Sequence, residues 1–205
     1  MTETTLYRAE YVEALTLLAK ASAAIRAEGH SAPVLVGGAV VEFDTGNGIV
    51  SGDFDFVSTD DEPFAQALIK LGFEQGDGRS RRRQTFVHPK LAMGVELVSG
   101  AYFDGRGDRG RVRLVQVAGL AISMASTEDL IADRLGRWIA SDRRDHHLLH
   151  QAIALFRLAD DLDASYLDRR IREDTSGDLG LAFLQELNDE DADPGRTRPP
   201  GPGQA

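Results

Sequence analysis

Residues 53–58 read Asp-Phe-Asp-Phe-Val-Ser, and this alternation of acid with apolar ring constrains the fold more than any other stretch of the 205-residue chain. Side chains of a β-strand alternate between faces, so Asp53 and Asp55 share one face and Phe54 and Phe56 the other. The phenylalanines require a core beneath them. The carboxylates repel one another unless they face water or a cation bridges them, and hard divalent ions such as Mg2+ are held by one or two carboxylates plus substrate phosphates.

The flanking sequence places this strand in an α/β protein with a small mixed β-sheet, flanking helices and a C-terminal helical region. Tyr7, Tyr11, Ala14, Leu15, Leu18, Ala21 and Ile25 recur mostly at steps of three and four, the stripe of an amphipathic helix. Pro33 to Val36 reads as a short buried strand, Gly37-Gly38 as its exit turn, and Ala39 to Asp44 as a short helix ended by Thr45-Gly46-Asn47-Gly48. Ile49 to Ser58 is expected as one strand, and Pro63 to Leu71 as a helix capped by Asp60 or Asp61 and stopped by Gly72. Further strands are expected over Thr85–His88, Gly94–Val98 and Arg111–Val117. Ser126 with Asp129 forms a capping-box signature that opens a helix through Trp138, and helices follow over about 145–158, 164–172 and 179–187. The domain organisation expected is a core with its N-terminal helix over 1–125, a helical region over 126–188, and a disordered tail over 189–205, where four of the seven prolines and no large apolar residue occur.

Composition removes several classes of function. With no cysteine, disulfides, thiolate metal sites and cysteine nucleophiles are all excluded. No apolar run approaches bilayer thickness and the N-terminal residues are acidic where a secretory signal is basic, so a cytoplasmic protein without membrane association is expected. A net charge of −10 disfavours broad adhesion to nucleic acid, yet Gly76 to Leu114 carries a local balance of +5.

A third acid, Glu96, stands alone in the apolar run Met93-Gly94-Val95-Glu96-Leu97-Val98. An adjacent strand brings it within reach of Asp53 and Asp55. Gly37 and Gly38, at a strand-to-helix turn, permit close backbone approach to a phosphate that a helix N-terminus also favours. A phosphate cradle, a metal pair and a third acid together describe phosphoryl transfer by positioning and charge neutralisation. Arg134 and Arg137 lie three apart on a predicted helix, either to reach phosphates or to form surface pairs, as Arg137 with Asp133. Arg79, Arg81, Arg82 and Arg83 suit either a solvated loop or a triphosphate or RNA end, and Arg106 and Arg109 suit a flexible hairpin tip. His146, His147 and His150 share helix faces but lack an acid partner to complete a metal set, so they are read as surface residues.

Gly37-Gly38, Asp53-Phe54-Asp55-Phe56 and Glu96 together resemble the signature of the nucleotidyltransferase superfamily of the DNA polymerase beta type: a glycine turn, an Asp-x-Asp between apolar residues, and a later strand acid. The likeness covers about residues 33–98, with Ser51-Gly52 standing where the family often has a basic residue. It implies that Asp53, Asp55 and Glu96 ligate Mg2+, that Glu96 also activates the attacking hydroxyl, and that Gly37, Gly38, Arg134 and Arg137 bind an NTP such as ATP. Ser126 to Leu135, with Arg144-Asp145 after it, is similar to a helix of the bacterial branch that includes abortive-infection toxin nucleotidyltransferases. That implies a toxin–antitoxin setting with a partner protein, and an acceptor that is an RNA end, a protein or a small molecule. The alternative is a non-catalytic, antitoxin-like binding module on the same fold.

Overall fold

The N-terminal apolar stripe forms helix α1 (Ala9–Ala27), which buries Tyr11, Leu15, Leu18 and Ile25 against the sheet. The computed structural model describes residues 6–76 and 83–192. Its strands are β1 (Val34–Val36), β2 (Asp53–Ser58), β3 (Glu74–Gln75), β4 (Arg83–Val87), β5 (Gly94–Ser99), β6 (Arg113–Val117) and β7 (Leu120–Met124), in the spatial order β3-β4-β5-β2-β1-β7-β6. The seven-stranded sheet is mixed: β2 runs parallel to β5 and β1 parallel to β7, and the other neighbours are antiparallel. Phe54 and Phe56 on β2, Phe86 on β4 and Leu97 on β5 are fully buried. Tyr11 stacks on Phe54, and Phe56 meets Phe64 from α3 (Asp61–Lys70), so α1 and α3 cover the phenylalanine side. Helices α4 (Thr127–Ala140), α5 (His146–Leu158), α6 (Ala164–Asp174) and α7 (Leu181–Ala192) form the C-terminal helical region, where α4 packs on both α5 and α6.

Several boundaries differ from the sequence reading, each for a physical reason. The strand expected from Ile49 begins only at Asp53, because residues 45–52 form a turn held by Glu42. That glutamate, fully buried in α2 (Gly37–Asp44), accepts a two-pronged pair from Arg8 and a 2.6 Å bond from the Ser51 amide. The helix expected from Ala39 starts at Gly37, so both glycines belong to its first turn. Arg111 lies in a short 3-10 turn (Arg109–Arg111) and pairs with Asp163, leaving the strand to start at Arg113. Arg106 is no hairpin tip: it ties its loop to Asp174 at 3.0 Å. Strand β7 was not anticipated, since Leu-Ala-Ile-Ser-Met lacks a clear alternation of apolar and polar residues.

Asp60 occupies the N-cap of α3 without a side-chain cap bond, and Gly72 ends that helix region at φ +93°. Ser126 does cap α4 through the Asp129 amide, but Asp129 does not return to the Ser126 amide, which instead donates to the Tyr102 hydroxyl. Helix α7 continues through residues 189–192 of the expected tail, and the remainder of that tail, from residue 193, lies outside the described residues, as do Arg79, Arg81 and Arg82.

Candidate active site

Register brings the three acids together. In the parallel pair of β2 and β5, Asp55 lies opposite Glu96, and Asp53 is on the same face one pleat earlier. Each of the three offers a carboxylate oxygen, and these atoms lie within 4.8 Å of one another; among the described residues no other group of three or more histidines and acids is so arranged. Val36 of β1 pairs with Asp55, so the chain leaves β1 directly beside the acids.

At that exit the geometry demands glycine. Gly37 has φ +74°, and a Cβ there would run into the Asp55 carboxylate. A Cβ on Gly38 would approach Ser51 Oγ to 2.7 Å. The Ser51 hydroxyl in turn donates to the Asp53 carbonyl at 2.9 Å. Ser51, standing where a basic residue is frequent in the resembled family, therefore builds the turn that delivers Asp53.

The acids line a cavity of about 540 Å³ together with Gly37, Gly38, Arg83, Arg134 and Arg137. All the residues singled out in the sequence as the core of a site are thus in one place. Burial, then the charges of Asp53 and Glu96, push the Asp55 carboxyl up to about 6, while Arg134 and Arg137 oppose the shift. The two arginines nearby do not offset burial and the neighbouring acids together. An all-oxygen, triply acidic donor set suits a hard divalent ion such as Mg2+ or Mn2+, and the residues present fit one.

Arg134 is 5% exposed; one end of its guanidinium meets Asp133 at 3.0 Å, another donates to Gln151 at 3.2 Å, and its buried Nε has no partner. Burial lowers its pKa and Asp133 pulls the other way, but an arginine remains charged. The surface pair considered for Asp133 is therefore made with Arg134. Arg83 sits at the other end of the acids, 3.2 Å from Glu96. His146, His147 and His150 are exposed and apart from the site, and Arg144 is exposed while Asp145 caps α5.

Sequence reasoning missed Val57, Val98, Phe103, Asp104 and Asp133, which also line the cavity. For Val57 and Val98 a signal existed: they continue the acid face of β2 and β5 by one pleat. Phe103-Asp104 carried only the Asp-Gly turn signature with the glycine that follows.

No protein-family model and no curated protein matches the sequence. Solved structures do. An antigenic nucleotidyltransferase-like protein from Paracoccidioides brasiliensis superimposes with a TM-score of 0.59 at 15% identity, over 89% of this chain and 91% of that one. The antibiotic-resistance factor ANT(2'')-Ia gives 0.55 at 16% identity, over 87% of this chain and 98% of its own. The chain therefore has a nucleotidyltransferase-like fold, and it spans nearly the full length of both neighbours.

Proposed function

We propose that the protein is a Mg2+-dependent nucleotidyltransferase that moves an NMP from an NTP, ATP among them, to a hydroxyl acceptor. The observation that supports this best is the convergence of Asp53, Asp55 and Glu96 in one cavity with a glycine turn and two helix-borne arginines. In this reading the three acids would hold Mg2+, which when bound supplies neutralising charge at the reacting phosphate. The first amides of α2, at Gly37 and Gly38, meet the phosphates beside the acids, with the Asp55 carboxylate and the Ser51 hydroxyl occupying the space a Cβ would take. Arg134 and Arg137 balance the triphosphate charge. Glu96 takes the proton of the acceptor hydroxyl as its oxygen bonds to the α-phosphorus, and pyrophosphate departs with the electrons of the broken P–O bond. The likeness of the α4 segment to the toxin branch supports a toxin–antitoxin setting, with a partner protein bound to this one.

The test is incubation of the purified chain with each α-labelled NTP, Mg2+ and candidate acceptors, beside Asp53→Asn with Asp55→Asn. Metal-dependent labelling of an acceptor that disappears in the double variant supports the reading. Nucleotide binding and labelling absent from both proteins, with tight nucleotide-independent capture of a partner protein by both, would overturn it in favour of a binding module.

A further inference from the structure

The floor of the cavity changes character along its length. On the shared face of the parallel strands β2 and β5, Asp53 comes first, then Asp55 opposite Glu96, then Val57 opposite Val98. Each step along that face is about 7 Å, two residues of strand rise. The Gly100 amide donates to the Ser58 carbonyl at 2.9 Å, extending the ladder by one more position before the chain turns across the cavity. The acid end therefore grades into an end where Val57, Val98, Ala101 and Phe103 line the cavity, flanked by Arg83, the β4 partner of Val98 that reaches back to Glu96, and by Asp104. Among the described residues lining the cavity, Phe103 is the one aromatic.

The backbone that carries Phe103 is unusual. Phe103 (φ 47°, ψ 50°) and Asp104 (φ 55°, ψ 28°) are both left-handed, and Gly105 follows at φ 82°. L-residues rarely adopt that region, and two in succession persist only where the surroundings hold them. The surroundings do so here. Tyr102, 2% exposed, donates its hydroxyl to Asp129 at 3.0 Å and accepts from the Ser126 amide. The Arg106 amide donates to the Phe103 carbonyl at 3.0 Å, and the Arg106 side chain is tied to Asp174. Tyr102 already fills the buried slot, and its ring meets Phe103 at 4.7 Å in a T arrangement. Phe103 itself stays partly exposed at the cavity wall. Core packing accounts for Tyr102 and for the part of Phe103 that packs against the core; the rest of the Phe103 ring, held in a strained turn, lines the cavity.

Resting on the proposed function, we infer that Phe103 is the platform on which the nucleobase of the bound NTP stacks, with Val57 and Val98 completing an apolar seat. Every base has a π-face, so such a platform raises affinity for nucleotides over bare phosphate chains with little regard to base identity. The triphosphate, held at the acid and glycine end, makes no use of it.

The experiment is calorimetric titration of the full chain with Mg2+ and each of ATP, GTP, CTP, UTP and inorganic tripolyphosphate, repeated on Phe103→Leu, which keeps apolar volume and removes the π-face. Thermal melts of both proteins establish that the variant folds. The expected result is that at least one NTP binds wild type about tenfold or more tighter than tripolyphosphate, the scale of a stacked base. In Phe103→Leu that ratio falls to within about threefold while tripolyphosphate binding is unchanged. An NTP-to-tripolyphosphate ratio near one in wild type, or a ratio that survives in Phe103→Leu, overturns the platform and leaves the transferase reading intact. Wild type that takes neither ligand overturns both. Should Phe103→Leu fail to fold, Phe103→Tyr serves, with the NTP advantage expected to persist and its loss counting against stacking.

Discussion

Two clusters of carboxylate chemistry lie on either side of the Tyr102–Gly105 turn, and they are opposites. Asp129 is fully buried and closed: its two oxygens accept from the hydroxyls of Tyr102, Ser126 and Tyr166 and from Arg170 at 2.7 Å. Arg170, equally buried, spends its other nitrogens on Glu173 and Asp174, and these carboxylates together with Asp129 raise its pKa against the effect of burial. Asp53, Asp55 and Glu96 instead face an open cavity, with their charges only partly met by arginines. A chain that satisfies a buried acid from its own residues at Asp129 leaves Asp53, Asp55 and Glu96 crowded at an open cavity, with Arg83 paired to Glu96 at 3.2 Å. The contrast separates an acid closed off by its own chain from acids that, in the proposed function, hold a metal ion.

The sharpest break of this contrast is Asp129→Ala. It strips Arg170 of its nearest counter-charge and leaves three hydroxyls without an acceptor, and removing one partner of a buried pair costs about 3–5 kcal/mol. Urea denaturation should show that loss, and a midpoint within experimental scatter of wild type would mean that the network contributes little. The reciprocal change, Asp53→Asn with Asp55→Asn, should do the reverse. It relieves repulsion, so the urea midpoint stays or rises, while NMP transfer falls on the order of 10³-fold, about 4 kcal/mol of lost transition-state stabilisation. A double variant that unfolds at lower urea and keeps its activity would erase the distinction between the clusters.

How much of this was readable in advance follows from the range of each interaction. Asp53, Asp55 and Glu96 were legible because strand alternation is local: a carboxylate every second residue, or alone in an apolar run, announces its own face. Gly37-Gly38 was legible for a similar reason, although the helix's starting at Gly37 was not. Arg134 and Arg137 were legible as a helix face, but the choice of Asp133 by Arg134 depends on packing against Gln151 of α5. The closed cluster was invisible. Asp129 read as half of a capping box, and apart from Ser126 its partners lie 27 to 41 residues away in sequence. Glu42 with Arg8, 34 residues apart, was missed likewise, although it holds the turn that sets where β2 begins. Seven strands also need a β7 whose Ala-Ile-Ser-Met pattern alternates too weakly to declare itself.

The contrast also has a pH signature in the metal-free protein. The Asp55 carboxyl is raised from 3.8 to about 6, so between those values the folded chain binds more protons than the unfolded chain. Its contribution to stability is therefore fully present below about pH 4 and is lost as pH rises through about 6. Allowing for partial exposure, we expect Asp55→Asn in EDTA to gain about 2 kcal/mol over wild type between pH 4 and 7. Millimolar Mg2+ should stabilise only wild type and close that gap. A gap that is flat with pH in EDTA and indifferent to Mg2+ would show that neither burial nor the neighbouring acids raise the Asp55 carboxyl.

The smallest expected effect lies in the turn that joins the two clusters. Asp104 is left-handed at φ 55° and its carboxylate, 89% exposed, meets Arg106 at 3.3 Å. The conformation costs a non-glycine residue roughly 1–2 kcal/mol, and so exposed an ion pair returns little. Asp104→Gly therefore exchanges strain for a more flexible unfolded chain, and a net gain of about 0.5–1 kcal/mol is expected, a rise of a few degrees in Tm for a chain of this size. Because Tyr102 and Arg106 still anchor the turn on either side, nucleotide affinity should change by less than about threefold, whereas Phe103→Leu changes it by more. A drop in Tm for Asp104→Gly would mean that its carboxylate, and not the backbone of its neighbours, is what holds Phe103 against the cavity.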